Sequence, residues 1–256
     1  MAILKDLPES EYRDGYSDRI SATNLIQFMK SPIKFYKMKI GDMTRETTRA
    51  MRVGTIFHRA VLEGPYEYMI GGPINPRTSI EYGTESQKWK DAEDSAGEII
   101  VSHQENDMLN SMALSVQCHN HAREMLLRCE HREVTVRTEI EGVAVQGRID
   151  ATDLSSTIID LKTTRDIDDF AREARRYMYT HQMAMYRRMM YNEIDKVCDC
   201  YLVVVEKQQP YRVGVFRITN DNLDVAYDEV REAIIMYRGC VRSGVWPTGY
   251  ETVQEL

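Results

Sequence analysis

Apolar positions along this chain change their spacing as it proceeds, and the changes mark out its elements. After Ser21, a residue type favoured at helix N-caps, Leu25, Ile26, Phe28 and Met29 recur at helical intervals and stop before Pro32. A second helix is predicted from Thr47 to Glu63, with Met51, Ile56, Ala60 and Val61 on its apolar side and Gly64-Pro65 ending it. Four glycines and three prolines between 64 and 84 break the periodicity and predict a loop with one short strand. Helical spacing returns over Gln87 to Gly97 and His103 to Arg128.

From Glu133 the period falls to two. EVTVRTEI alternates, Glu141-Gly142 turns the chain, VAVQGRIDA alternates again, and Leu154-Ser155-Ser156 leads into TIIDLKTT. This predicts a three-stranded antiparallel meander. A long helix follows over 166–192, then a valine-rich strand over 197–207, its hairpin partner over 211–218, and a closing amphipathic helix from Asp221 to Val241. Such an order predicts an α/β (mixed α+β) fold, a central mixed sheet flanked by helices. With no linker or repeat, 1–256 reads as a single domain: a mostly helical part over 1–130, sheet and helix over 131–220, and a closing helix and tail over 221–256.

Composition narrows the class. At 256 residues, 43% apolar and 29% charged, the chain can bury a substantial core. No run approaches the roughly 18–20 apolar residues of a membrane span, and the acidic N-terminus broken by Pro8 is unlike a secretory signal. The expectation is a cytoplasmic protein without a membrane partner. Five scattered cysteines with no CxxC pair argue against a four-cysteine zinc or iron–sulfur site. The net charge of −7 runs against the usual basic footprint of a nucleic-acid binder. Charge is uneven, however: between Ala171 and Met190 five arginines face one acid, Glu173. Screening confines charge effects to about 8–10 Å at cellular salt, so a basic face can coexist with an acidic whole.

The chemistry concentrates between Gly147 and Thr163. Asp150 falls near the end of one strand, where a solvated carboxylate would also be at home. Asp160 lies in mid-strand after Ile158-Ile159, a place that disfavours aspartate. Lys162 shares its strand face, so a structural ion pair is the plain alternative to a functional one. Hard anionic oxygens suit a divalent metal, and an amine beside them could position or deprotonate a water. Gln182 and Tyr186, four residues apart, share a helix face, with Tyr179 and Met183 near the same stripe.

Taken in order, Gly54-Thr55 with His58, the strand beginning at Glu133, Gly147 with Asp150, Asp160-Leu161-Lys162-Thr163-Thr164, and Gln182 with Tyr186 resemble the PD-(D/E)xK nucleases. More narrowly they resemble the exonuclease VIII (RecE-type) group, akin to the RecB nuclease domain and lambda exonuclease; ISATNLIQFMKSPIKFY and MRVGTIFHRAVLEGPYEY are similar to that group's opening. The proline that family carries before its first acid is Ile149 here. The resemblance implies that His58, Asp150, Asp160 and the Leu161 carbonyl ligate Mg²⁺ or Mn²⁺. It implies that Lys162 serves the attacking water, that Gln182 and Tyr186 brace the site, and that Glu133 supplies an additional acid, a role for which Glu139 and Glu141 compete. Arg165, Arg172, Arg175 and Arg176 could then contact the flanking phosphates, a solvated helix face with ion pairs being the plain alternative. It further implies a double-stranded DNA exonuclease, 5′ to 3′, that hands a 3′ strand to a RecT-type annealing protein in a phage recombination system. The form implied is a homo-oligomeric ring of three or four subunits around the DNA end. The same core also serves structure-specific endonucleases and non-catalytic DNA-binding modules.

Overall fold

Leu202 to Val205 form an unbroken apolar run because the strand that holds them is covered on both faces. Leu202 and Val204 enter one core cluster, Val203 and Val205 another. A computed structural model describes residues 2–14, 18–44, 48–62, 68–97 and 99–253. In chain order the elements are β1 (Ala2–Leu4), α1 (Glu9–Asp14), β2 (Ile20–Ser21), α2 (Ala22–Lys30), α3 (Pro32–Lys39), α4 (Arg49–Leu62), β3 (Met69–Ile70) and α5 (Gln87–Ala96). Next come β4 (Ile100–Val101), α6 (His103–Cys118), α7 (Asn120–Arg128), β5 (His131–Ile140), β6 (Val143–Thr152) and β7 (Thr157–Thr164). The chain ends with α8 (Phe170–Tyr177), α9 (Tyr179–Ile194), β8 (Asp199–Glu206), β9 (Val213–Ile218) and α10 (Asn220–Ser243).

The main sheet runs β1-β5-β6-β7-β8-β9, with β2 added beside β6, and β3 pairs β4 in a small second sheet. The meander and the β8–β9 hairpin are antiparallel as expected; β7 and β8 are parallel, joined by the α8–α9 crossover. Residues of α2, α9 and α10 fill the core on one face, where Cys198 and Cys200 lie buried on the same side. Residues of α4, α6 and α7 fill the other. The β6–β7 turn is held by Asp153, whose carboxylate accepts from Ser155 N, Ser156 N and Thr157 N at 2.8–2.9 Å.

Several boundaries differ from expectation. Pro32 does not end the helical region but starts α3, at a first-turn position where its missing N–H costs nothing. The predicted helix over His103 to Arg128 breaks at His119, whose ring caps α7 by accepting from Ala122 N. The predicted helix over 166–192 breaks at Met178, which adopts φ +60°. The stop expected at Gly64-Pro65 lies outside the described residues. No described helix is long and apolar enough to cross a membrane.

Candidate active site

The site is made where two strands part. The β6–β7 ladder consists of Ala151↔Ile159 and Thr152↔Ile158 and goes no further. Along the rest of β6, β2 pairs at Val145 and Gln146. Between the two ladders, residues 147–150 face a gap, and Asp150 stands at its edge with Asp160 opposite on β7. The freed Leu161 N–H donates to Asp150 Oδ2 at 2.7 Å. In an extended strand a residue's N–H and C=O point to the same edge, so the Leu161 carbonyl faces this gap too. Its side chain is buried in the core on the α4 side.

Four titratable groups meet here. His58 Nδ1 of α4 lies 3.3 Å from Asp150 Oδ2. Lys162 Nζ forms an ion pair with Asp160 Oδ2 and sits 4.7 Å from the Tyr179 ring centre. The Asp160 side chain is 3% exposed and that of Lys162 14%. Burial opposes charge on Asp150, but His58, Lys162 and the Leu161 N–H outweigh it and lower its pKa. For Asp160 burial wins, helped by repulsion from Asp150, and the pKa rises. Burial likewise opposes charge on His58 and Lys162; the facing carboxylates outweigh it and raise both.

Helix α9 braces the gap. Gln182 Nε2 donates to Tyr186 Oη at 3.0 Å, and Tyr186 is buried against β6. That approach requires Gly147: a Cβ there would lie 2.7 Å from Tyr186 Cε1 and 3.3 Å from Met189 Cε. Gly147→Ala is therefore expected to destabilise the fold by about 1–3 kcal/mol, as overpacked cores do, and to disturb the Gln182–Tyr186 bond. Urea unfolding would check this; an unchanged midpoint would mean that the ring moves freely.

The other anticipated residues scatter. Glu133 sits on β5 with φ +48° and lies 4.0 Å from Arg148 Nε of β6. Arg165 is exposed just past β7, and Arg172, Arg175 and Arg176 are exposed on α8, where Arg172 pairs with Asp169 at 2.6 Å. Tyr179, against Lys162, lacked a motif of its own.

The expected metal ligands are brought into one neighbourhood but not into one cluster. Among the described residues no three His, Cys, Asp or Glu side chains stand as a set that could hold a metal ion. The reason is local pairing: Asp150 Oδ2 is engaged by Leu161 N and His58, and Asp160 faces Lys162. The donor chemistry nevertheless fits a divalent cation. Two buried carboxylates, those of Asp150 and Asp160, with one imidazole suit Mg²⁺ or Mn²⁺.

A solved structure of a candidate exonuclease from Eubacterium rectale is similar in fold, with a TM-score of 0.74 over 98% of this chain and 95% of that one, at 13% identity. A second, SSO0001, overlaps 52% of this chain and 67% of its own at 16% identity, with a TM-score of only 0.29. No curated protein matches the chain in sequence. The profile of the family described as a PDDEXK-like domain of unknown function (DUF3799) matches residues 21–255. With nearly its whole length matched and the splayed β6–β7 pair bearing Asp150, Asp160 and Lys162 at its centre, the chain belongs to the PDDEXK-like family.

Proposed function

We propose that this protein is a metal-dependent nuclease that hydrolyses double-stranded DNA from its ends, degrading one strand, 5′ to 3′, to leave a 3′ single strand. The observation that carries the reading is the meeting of His58, Asp150, Asp160 and Lys162 at the gap where β6 leaves β7. Asp150, Asp160, His58 and the Leu161 carbonyl would hold Mg²⁺ or Mn²⁺. Bound there, the ion would polarise the scissile phosphate and make its water more acidic. Lys162 brings a positive charge that orients the attacking water and offsets charge growing on the phosphate. Asp160 fixes the Lys162 ammonium, and Tyr179 limits where it can swing. Gln182 and Tyr186 keep β6 at its distance from α9.

Arg165, Arg172, Arg175 and Arg176 present charge to phosphates without any base-reading motif, so binding should depend on salt more than on sequence. A subunit ring around the DNA and hand-over to a RecT-type annealing partner complete the proposal. They place the enzyme in the cytoplasm, in a recombination system of phage type.

Linear duplex labelled separately at each 5′ and 3′ end, with a covalently closed circle beside it, tests the reading. The expected result is release of short products from the linear form alone, 5′ label first, in Mg²⁺ and none in EDTA. Nicking of the circle would instead make the protein an endonuclease on the same core. Binding of DNA with no cleavage of either form would make it a non-catalytic module.

A further inference from the structure

An aromatic stack leads from Lys162 to the protein surface. Tyr179, the ring beneath the Lys162 ammonium, stacks with buried Phe170 at 6.1 Å and 27° and with Tyr177 at 5.7 Å and 29°. Tyr177 is 43% exposed. Lys30 Nζ of α2 lies 5.9 Å from its ring centre and the Arg176 guanidinium 5.7 Å.

This contact depends on the break between α8 and α9. In an unbroken helix residues two apart point to different sides and cannot stack. Met178 at φ +60° turns the chain so that its two neighbours come face to face. A left-handed methionine costs backbone strain that glycine would avoid, and strain of this kind persists where the surroundings enforce it, often at functional sites. Two cations flank the exposed ring, Lys30 of α2 and Arg176 of α8, and α8 also exposes Arg172 and Arg175 against one acid, Glu173.

We propose that Tyr177, backed by Tyr179 and flanked by Lys30 and Arg176, is a stacking platform for an unpaired nucleobase of the DNA strand that enters the site at Lys162. The proposal rests on the nuclease reading and deepens it by naming single-stranded DNA next to the scissile phosphate as the form held. Bases inside a duplex have both faces covered by their neighbours, whereas an unpaired base offers a free face to an aromatic ring. Every base has such a face, so the platform tolerates any sequence. Lys30 and Arg176, held only by long flexible stems, can leave the ring for the adjoining phosphates as the base arrives.

The test uses the full chain with a short single-stranded oligonucleotide carrying 2-aminopurine and with a blunt duplex, in EDTA and in parallel in Ca²⁺. The wild type is expected to quench 2-aminopurine in the single strand. Tyr177→Ala should abolish the quenching and weaken single-strand binding by about five- to a hundred-fold, with duplex binding changed less than about two-fold. Tyr177→Phe should restore both, and Lys30→Gln with Arg176→Gln should flatten the salt dependence while leaving the quenching. Unaltered quenching in Tyr177→Ala would overturn the platform alone, as would equal losses on single strand and duplex. A wild type that binds neither DNA in either buffer would take the nuclease reading down as well.

Discussion

Replacing Lys162 with alanine is expected to lower DNA cleavage by about 10²–10³-fold or more while Mn²⁺ binding stays intact, whereas Asp160→Ala should abolish both. The two side chains form one ion pair, so the contrast separates their roles. Lys162 supplies positive charge to the reacting phosphate and its water, a contribution made in the transition state and absent from ion binding. Its ammonium also competes for the Asp160 oxygen that a cation would use, so its removal should leave affinity unchanged or raise it. Asp160 is buried and meets the Lys162 ammonium through its negative charge. Asp160→Asn keeps the shape and removes that charge, and should behave like the alanine variant in both assays. Calorimetric titration of Mn²⁺ alongside cleavage of end-labelled duplex reads the two effects separately. Cleavage at the wild-type rate in either variant, or loss of Mn²⁺ binding on removing Lys162, would sink the assignment.

Much of this site could be read from residue order because the strands around it alternate cleanly. An aspartate after Ile158-Ile159, in the middle of a strand, has no packing reason to be there, and β7 does carry it into a buried place. What pattern cannot convey is where a ladder stops. β6 and β7 look like hairpin partners along their whole length, yet they pair over two residue pairs only, and the gap that results makes the site. The strand taking up the rest of that edge, β2, is two residues long, too short for any period. Its Ser21 is legible only as the N-cap it also is, accepting from Asn24 N at 3.2 Å. The break at Met178 was hidden for a different reason. A left-handed turn is announced by glycine or asparagine, and methionine there extends the helical pattern without interruption. The α8 arginines therefore belong to a separate helix from Gln182 and Tyr186, and Arg187 turns away to pair with Asp224 of α10.

Arg49→Met is expected to destabilise the protein by about 3–5 kcal/mol, the cost of leaving Glu105 without its cation and Glu93 with Arg52 as its remaining one. The Arg49 side chain is 8% exposed and donates to Glu105 Oε1 at 2.9 Å, Glu105 Oε2 at 2.5 Å, Glu93 Oε1 at 2.5 Å and the Ile100 carbonyl at 2.6 Å. Those partners lie 44 to 56 residues away, which is why periodicity could not reveal them. The guanidinium fork satisfies two acids and a strand carbonyl at once, and it lies 5.6 Å from the ring centre of buried Trp89. It thereby ties the start of α4 to α5, β4 and α6, and α4 is the helix that delivers His58 to Asp150. At roughly 2–4 °C per kcal/mol for a chain of this size, the midpoint of thermal unfolding should fall by about 6–20 °C. Arg49→Lys, which keeps charge but loses the fork, should fall between the wild type and Arg49→Met. Burial opposes charge on Glu105, but Arg49 and the Ser102 N–H outweigh it and hold its pKa below the ordinary value of 4.5. Its depressed folded value means that the stabilisation is whole above that pH and is lost as acid protonates the carboxylate. The gap between wild type and Arg49→Met should therefore narrow in acid. A midpoint within about 2 °C of the wild type at neutral pH would show that Arg52 and the Ile100 and Ser102 N–H groups suffice for Glu93 and Glu105. The network would then be dispensable to α4 and to the placement of His58.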